Sequence, residues 1–317
     1  MTRSFKTEVC DYSVYLAVRL LICFIQSLSL RGCQKFARIM GWIASDVFHL
    51  REKVTVENLR ASFPELSEQK IHVLKRQMWE HLILMVCEIA LTPRKVHQTN
   101  WHKYISVPQK RKLVGRLLED RPLVLVSGHF GNFEIAGFAA GLLGFPTYAI
   151  ARDLDNPYLH RFIQKFREAK GQYILPKEGS ANRVKDVLDT KQTLALLADQ
   201  HAGKKGCWID FFGRPASCHK AVSVFTLTSD APMLVVYGRR VGGPLQFEIG
   251  IEGEADPADL PRDLAGIRPL TQWYSARLED MIRRAPEQYW WLHRRWKEPP
   301  RRPVSYTHLT LPTNTVV

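Results

Sequence analysis

The chain lacks several patterns by which a function is often recognised. None of its six cysteines forms a C-x-x-C pair, so the sequence predicts neither a zinc site nor a disulfide framework, but reduced thiols in a cytosolic compartment. There is no P-loop and no G-x-G-x-x-G motif, which leaves nucleotide binding without support. Charged residues at 24% and hydrophobic residues at 45% are typical of a folded globular chain, and disorder is not expected.

Long hydrophobic runs are scarce. The most apolar stretch, residues 14–30, is at the short limit for a membrane span and contains Arg19 and Gln26. Its acidic upstream flank and the lack of a small-residue cleavage site argue against a cleaved signal peptide. A membrane-embedded anchor, a helix lying in the membrane interface and a buried core helix remain as interpretations. Basic residues between 31 and 38 favour a cytoplasmic location for the chain beyond them.

Acidic residues are outnumbered by basic ones. The chain has 45 Lys and Arg against 31 Asp and Glu, a net charge of +14. This excess predicts a polyanionic partner, for which nucleic acid, an anionic membrane face and an acidic carrier protein are candidates. Charge alone does not choose among them.

Between residues 121 and 253, short apolar runs alternate with helical patterns, whereas residues 50–120 have helical spacing throughout. The alternation predicts an α/β fold with a central, mostly parallel sheet flanked by helices. The predicted strands are 123–127, 147–151, 193–198, 233–237 and 246–251, and the predicted helices among them are 156–170 and 180–189.

A histidine and a glutamate follow the first of these strands. His129 and Glu134 lie in a turn that Gly128 and Gly131 allow to bend sharply into a helix. The position beyond the carboxyl end of a parallel strand is where α/β proteins keep active sites. His129 could act as a general base oriented by Glu134, with N–H groups of the following helix holding an oxyanion. The spacing alone would favour an ordinary turn with a satisfied histidine and a solvated glutamate.

Three further blocks accompany this turn. Residues 194–200 form an apolar strand that ends in Asp199 and Gln200, residues 206–216 contain Phe211-Phe212-Gly213, and residues 286–297 interleave tryptophans with basic residues. With an upstream segment at 51–65, these blocks in this order resemble the bacterial lipid A biosynthesis acyltransferase family over roughly residues 12–303. Glutamate at position 134 favours this branch, because the related glycerol-phosphate acyltransferases carry aspartate at the matching position.

The resemblance implies a glycerol-phosphate-acyltransferase-like fold with an N-terminal membrane-associated helix. It implies transfer of a fatty acyl chain from acyl carrier protein, or from acyl-CoA, to a hydroxyl or hydroxyacyl group of a lipid A precursor or related glycolipid. No cofactor and no metal is expected. The partners would be the carrier protein, the acceptor lipid and an anionic membrane. The location would be the cytoplasmic face of the bacterial inner membrane.

Further residues acquire expected roles from this resemblance. Arg152 ends a predicted strand and would clamp a phosphate or the oxyanion, or else form a loop ion pair with Asp153 or Asp155. Asp199 and Gln200 would orient the sugar acceptor or Arg152, or else cap a turn.

Two aromatic segments carry expectations of their own. Arg294 and Arg295 would contact phosphates while neighbouring indoles lie at the membrane interface; the alternative is a capping segment packed on the sheet. Phe211 and Phe212 would line an acyl-chain tunnel, or else form plain core.

The chain divides into a membrane-anchoring region, residues 1–45, an acyltransferase domain, residues 46–303, and a tail, residues 304–317. The tail has no Asp, Glu, Lys or Arg and resembles translated sequencing-adapter sequence, so we expect it to be non-native. Two alternative functions stay open: acyl transfer to another glycolipid or a phospholipid, and nucleic-acid binding by the basic C-terminal stretch. The apolar residues 14–30 argue against nucleic-acid binding.

Overall fold

The computed structural model describes residues 4–177 and 179–297, so the segment 304–317 lies outside the described residues. Its α-helices are α1 Phe5–Ser27, α2 Leu30–Trp42, α3 Glu52–Ser62, α4 Glu68–Lys95, α5 Lys110–Leu118, α6 Phe133–Leu142, α7 Pro157–Glu168, α8 Ser180–Asp189, α9 Ala221–Thr228 and α10 Ile267–Arg284. Its strands are β1 Ile105–Ser106, β2 Leu123–Ser127, β3 Thr147–Ala151, β4 Gln172–Pro176, β5 Thr193–Leu197, β6 Cys207–Phe211, β7 Arg214–Cys218, β8 Met233–Arg240 and β9 Phe247–Ala255.

Within the described residues, seven strands form one sheet in the order β1-β9-β8-β2-β5-β3-β4. All neighbours are parallel except β8 and β9, which form an antiparallel hairpin. The mostly parallel sheet flanked by helices confirms the predicted fold class. The strand β2 is central and hydrophobic because both of its faces are covered, and Leu123, Val124 and Val126 are buried.

The segment at 206–216, for which the sequence predicted no strand, forms most of the antiparallel hairpin β6–β7. Gly213 in the left-handed region makes its turn. Phe211 and Phe212 are buried in the main core, where Phe212 packs edge-on against Trp291. These phenylalanines therefore belong to the core, which was the alternative to an acyl-chain tunnel.

The apolar stretch at 14–30 belongs mainly to α1. Among residues 4–177 and 179–297, no helix combines the length and the apolar character needed to cross a bilayer. The interpretation of a buried core helix is wrong, because Ile25 is the buried residue of α1 while Leu20 is 70% exposed. The helix lies on the surface, where Gln26 donates to the carbonyl oxygen of Ala90 in α4 at 2.8 Å and Asn156, which caps α7, donates to Asp11 O at 2.8 Å.

Candidate active site

The register of two neighbouring strands brings His129 and Asp199 together. Ser127 at the end of β2 pairs with Leu197 at the end of β5, so the residues two positions further along both strands lie side by side. The Asp199 Oδ1 atom is 2.7 Å from His129 Nδ1, and Asp199 Oδ2 accepts a 2.8 Å hydrogen bond from the backbone N–H of His129. One carboxylate therefore fixes both the ring and the main chain of the histidine.

This contact sets the tautomer and the charge of His129. Because a carboxylate accepts at Nδ1, the proton lies there in the neutral ring and the Nε2 lone pair is free to take a proton. Burial disfavours the protonated ring, but the Asp199 charge and hydrogen bond outweigh it and raise the pKa of His129. Burial opposes ionisation of Asp199 as well, yet His129 and Arg295 hold its pKa at about 2.

The sequence-based assignment of Glu134 as the orienting carboxylate is wrong in this geometry. Glu134 is the second residue of α6, and its side chain turns toward α7, where Arg167 Nε donates to Oε2 at 3.1 Å and Arg167 Nη2 bonds Oε1. A spacing of five residues across a turn does not specify the direction of the second side chain. The pairing of β2 with β5, by contrast, places Asp199 beside the His129 ring. Glu134 still acts through space, because its charge favours protonated His129.

The turn that carries His129 is fixed by close backbone contacts. Gly131 has φ of +60°, and a Cβ there would lie 2.2 Å from the carbonyl oxygen of Gly238. That carbonyl accepts a 2.7 Å hydrogen bond from Asn132 N, and Gly131 N donates to Gln288 O at 2.9 Å. Only glycine satisfies both the conformation and the space at position 131.

A buried polar cluster behind the turn was not predicted from the sequence. Arg240 donates to both carboxylate oxygens of Glu88, at 2.7 Å and 2.6 Å, and to His81 Nδ1 at 2.8 Å. Burial and the Arg240 charge lower the pKa of His81 to about 3, so His81 is neutral and its Nε2–H donates to Gly131 O at 3.1 Å. The Asn132 side chain donates to Glu88 Oε2 at 3.2 Å, which ties the start of α6 to the same cluster.

The C-terminal segment closes the site from the other side. Trp290 N donates to His129 O at 3.1 Å, and the rings of Trp290 and His293 lie 5.0 Å and 5.2 Å from the His129 ring, centroid to centroid. Asn58 donates to the carbonyl oxygens of Trp291 and His293, each at 2.8 Å. These contacts explain why the upstream segment and the C-terminal block occur together: one holds the other against the active-site turn.

The two arginines of the C-terminal block have different positions. Arg295 is 2% exposed and donates to Ser217 O at 2.6 Å and to Cys218 Sγ at 2.7 Å. It supports the segment beneath Asp199, and the expectation that it contacts a substrate phosphate is wrong for this conformation. Arg294 is exposed, so its assignment as a phosphate contact stays a prediction. Arg295, Trp291 and Trp296 pack inward and are not available to contact a nucleic acid. The basic C-terminal stretch therefore gives little support to the nucleic-acid-binding alternative.

Arg152 does not reach His129. The strands β2 and β3 are parallel but β5 lies between them, so the end of β3, which carries Arg152, is not next to the end of β2, which carries His129. The Arg152 side chain is 79% exposed and pairs with Asp155 at 3.0 Å. The loop ion pair, which was the alternative, is the observed arrangement.

Gln200 lies near the free ring nitrogen of His129, as the sequence-based assignment to the active site predicted. Its Nε2 lies 3.4 Å from His129 Nε2, on the side of the ring that Asp199 leaves free. Two buried nitrogens belong to the rings that contact His129: neither Trp290 Nε1 nor His293 Nε2 has a hydrogen-bond partner within the described residues. Among residues 4–177 and 179–297, no three His, Cys, Asp or Glu side chains form a set of metal ligands.

An apolar cavity of about 180 Å³, the inner cavity, lies between α6 and the sheet. Its walls near the active-site turn are Ser127, Leu197 and Phe133, and the Phe133 ring is 5.3 Å from that of His129. Small residues of α6 and the strands leave the space open, among them Ala136, Ala140, Ala149 and Ala195. Such a cavity suits a hydrocarbon chain whose reactive end lies near His129.

A buried imidazole with a carboxylate on one nitrogen, beside an apolar cavity, is suited to proton transfer during acyl transfer. The model of the bacterial lipid A biosynthesis acyltransferase family matches residues 2–298. The chain belongs to this family. It is an acyltransferase, as its family and the names of its relatives indicate.

Two relatives from Escherichia coli (strain K12) are similar over most of the chain. The lipid A biosynthesis palmitoleoyltransferase is 24% identical over 268 residues, covering 82% of this chain and 83% of that protein. The lipid A biosynthesis lauroyltransferase is 24% identical over 267 residues, covering 82% and 84%. The phosphatidylinositol mannoside acyltransferase of Mycolicibacterium smegmatis is 26% identical over 121 residues, covering 37% and 40%. The crystal structure of 1-acyl-sn-glycerophosphate acyltransferase from Thermotoga maritima aligns with a TM-score of 0.40 and 12% identity, covering 85% of this chain and 100% of that one.

Proposed function

We propose that this acyltransferase moves a fatty acyl chain from a thioester donor to a hydroxyl group of a lipid A-type acceptor, with His129 as the general base. The observation that carries this proposal is the 2.7 Å contact between His129 Nδ1 and the buried Asp199 carboxylate, which leaves Nε2 as the proton acceptor. Membership of the lipid A biosynthesis acyltransferase family and the names of the relatives support the choice of acceptor.

In the proposed reaction, His129 Nε2 takes the acceptor hydroxyl proton as the oxygen attacks the thioester carbonyl carbon. Asp199 stabilises the imidazolium that forms. The oxyanion of the tetrahedral intermediate lies at the N-terminal end of α6, where the first-turn N–H groups and the helix dipole favour negative charge. Collapse of the intermediate breaks the carbon–sulfur bond, and the leaving thiolate takes the proton from His129. The sum is an ester and a free thiol.

The donor chain is proposed to lie in the inner cavity. The thioester carbonyl would then sit near Phe133 and His129 while the methyl end extends under α6 toward Leu113 and Leu117. Each methylene that is buried in the cavity contributes about 0.8 kcal/mol, whereas a methylene beyond its end contributes nothing. The depth of the cavity therefore determines which chain length binds best. Acyl carrier protein is the proposed donor protein, because an acidic carrier complements a net charge of +14.

The N-terminal helices are proposed to lie in the membrane interface. Phe5, Leu20 and Phe24 of α1 are 79%, 70% and 48% exposed, and Trp42 and Phe48 extend this apolar surface. The exposed basic residues of α2, Arg31, Lys35 and Arg38, add attraction to anionic lipid. Binding of the protein to vesicles with and without anionic phospholipid tests this placement. Equal binding to both kinds of vesicle at low salt would contradict the proposed attraction between the basic residues of α2 and anionic lipid.

A second acceptor class has one specific observation in its favour. The mycobacterial relative that matches 37% of this chain is named a phosphatidylinositol mannoside acyltransferase. The same chemistry on a mannoside hydroxyl requires no change in the roles of His129 and Asp199.

Incubation of the purified protein with acyl-acyl carrier protein or acyl-CoA and a panel of acceptors, followed by mass spectrometry, tests the proposed function. We expect a mass increase of one acyl chain on an acylated glucosamine disaccharide phosphate. Acylation of the mannoside alone would select the second acceptor class. Transfer to neither acceptor, while free fatty acid accumulates, would contradict both.

A further inference from the structure

A second apolar cavity, the outer cavity, lies between α1, α4 and α7, and has a volume of about 280 Å³. Its polar lining groups are already bonded within the protein. Gln26 donates to Ala90 O at 2.8 Å, and Glu134 and Arg167 bond each other. The rest of the lining is aliphatic or aromatic, so the space offers contacts to a hydrocarbon and no hydrogen bonds to a polar ligand. An apolar cavity of roughly 150 Å³ is already enough to bind benzene.

The outer cavity and the inner cavity share two residues. Glu134 and Arg167 line both, so their ion pair is a common wall between the two spaces. The pair is partly buried, with side chains 14% and 24% exposed. A chain in the outer cavity would therefore be separated from a chain in the inner cavity by this ion pair.

We propose that the outer cavity binds an acyl chain that the acceptor lipid already carries. This inference rests on the proposed function, in which two lipid-bearing substrates meet at His129 and the donor chain takes the inner cavity. The remaining substrate needs an apolar site for its own chains, and the outer cavity is separated from the inner cavity only by the Glu134–Arg167 pair that lines both. Its wall α1 exposes Leu20 and Phe24 on the outside, so a chain can pass from a bilayer into the cavity along apolar surface.

Under this proposal the Glu134–Arg167 pair keeps the two chains apart. Its charges make entry of a hydrocarbon between the cavities unfavourable, because a chain there would desolvate both ions without replacing their hydrogen bonds. The pair thus gives Glu134 a role that differs from orientation of His129. It separates the donor's chain from the acceptor's chain.

A substitution that fills the outer cavity tests the proposal. Val18 of α1 lines the cavity, whereas Val14, one turn earlier, is 45% exposed and does not line it. We expect Val18→Phe to raise KM for an acylated disaccharide phosphate acceptor roughly tenfold, and to leave KM for its deacylated counterpart unchanged. Val14→Phe is the matched control and should change neither. Equal effects of both variants, or an equal effect of Val18→Phe on both acceptors, would overturn the proposal.

Photolabelling of the unmodified protein gives a result that does not depend on how a variant folds. An acceptor with a diazirine at the end of one acyl chain should label the peptides of α4 and α7 that line the cavity, and a phospholipid with the same group should label these peptides less. Labelling confined to other elements, or stronger labelling of this site by the phospholipid, would overturn the assignment to the acceptor. A wild-type protein that acylates no acceptor would instead contradict the proposed function, so the two failures are distinguishable.

Discussion

Asp199 holds His129 at two points, the ring nitrogen Nδ1 at 2.7 Å and the backbone N–H at 2.8 Å. Gly128 makes room for this approach, since a Cβ there would come within 3.3 Å of the Asp199 carboxylate. The carboxylate is also 1% exposed, so its charge is little screened by water. The arrangement fixes the base before substrate arrives.

His129→Ala should abolish acyl transfer while the protein stays folded. A positioned general base contributes about 10²–10⁴ in rate, and the imidazole contacts the protein mainly through Asp199 and aromatic rings. The measurement is product mass per unit time with circular dichroism as the fold control. Retention of more than about a tenth of the wild-type rate by a folded variant would argue that another group takes the proton.

The fold of the sheet could be predicted because its strands are short apolar runs between helical patterns. The strands 123–127 and 147–151 and the helix 180–189 match β2, β3 and α8 in both boundaries. Strand order was not predictable, since it depends on which apolar faces meet in three dimensions. That order explains two of the three wrong assignments at the site: β5 beside β2 brings Asp199 to His129 in place of Glu134, and β5 between β2 and β3 separates Arg152 from His129.

The buried cluster behind the turn was missed for a similar reason. Glu88 and His81 lie within an amphipathic helix and Arg240 at the end of a strand, 152 positions after Glu88, so no local pattern connects them. The available signal was a glutamate spaced like the apolar residues Leu84 and Leu91 of α4, since a carboxylate requires a partner when it is buried. Sequence alone does not identify that partner.

Glu88→Gln should destabilise the protein by about 3–5 kcal/mol, because it leaves the Arg240 charge buried without its carboxylate. The side chains are 1% and 8% exposed, so water cannot replace the lost partner. Glu68→Gln, which breaks an exposed pair with Arg60, is the matched control and should change stability little. Denaturant unfolding measures both. Similar midpoints for the two variants would show that the buried pair adds nothing to the free energy of unfolding.

Ala140→Phe should shorten the acyl chain that the enzyme prefers. Ala140 lines the inner cavity from α6, and a phenyl ring there would occupy space proposed for the donor chain. The measurement is competition among thioester donors of graded length, with products separated by mass. An unchanged preference, in a variant that still transfers, would place the donor chain elsewhere.

Arg152→Ala should leave transfer close to wild type, whereas Arg295→Lys should impair folding. Arg152 forms an exposed loop pair, and such pairs contribute about 0–1 kcal/mol. Arg295 donates to Ser217 O and Cys218 Sγ in a buried position, and loss of such a charged hydrogen bond costs about 1.5–3 kcal/mol. Melting temperature and kcat/KM of the two variants measure this. A large loss of kcat/KM in folded Arg152→Ala would show that Arg152 meets substrate despite its exposed position.

The most direct measurement of the central claim is the pH dependence of kcat/KM for wild type, Asp199→Asn and Glu134→Gln. The base must be neutral to act, so activity rises with pH through the pKa of His129, which Asp199 raises. Without the Asp199 charge that pKa falls. We therefore expect Asp199→Asn to lose about 10²–10⁴ in rate and to shift the acidic limb of the profile to lower pH.

Glu134→Gln is the matched comparison, since it neutralises the carboxylate that bonds Arg167 and not His129. We predict a loss of less than about tenfold and a smaller shift of the acidic limb, because Glu134 acts on the ring through space alone. The opposite ranking, with the larger loss and the larger shift in Glu134→Gln, would contradict the assignment of Asp199 as the carboxylate that holds the base.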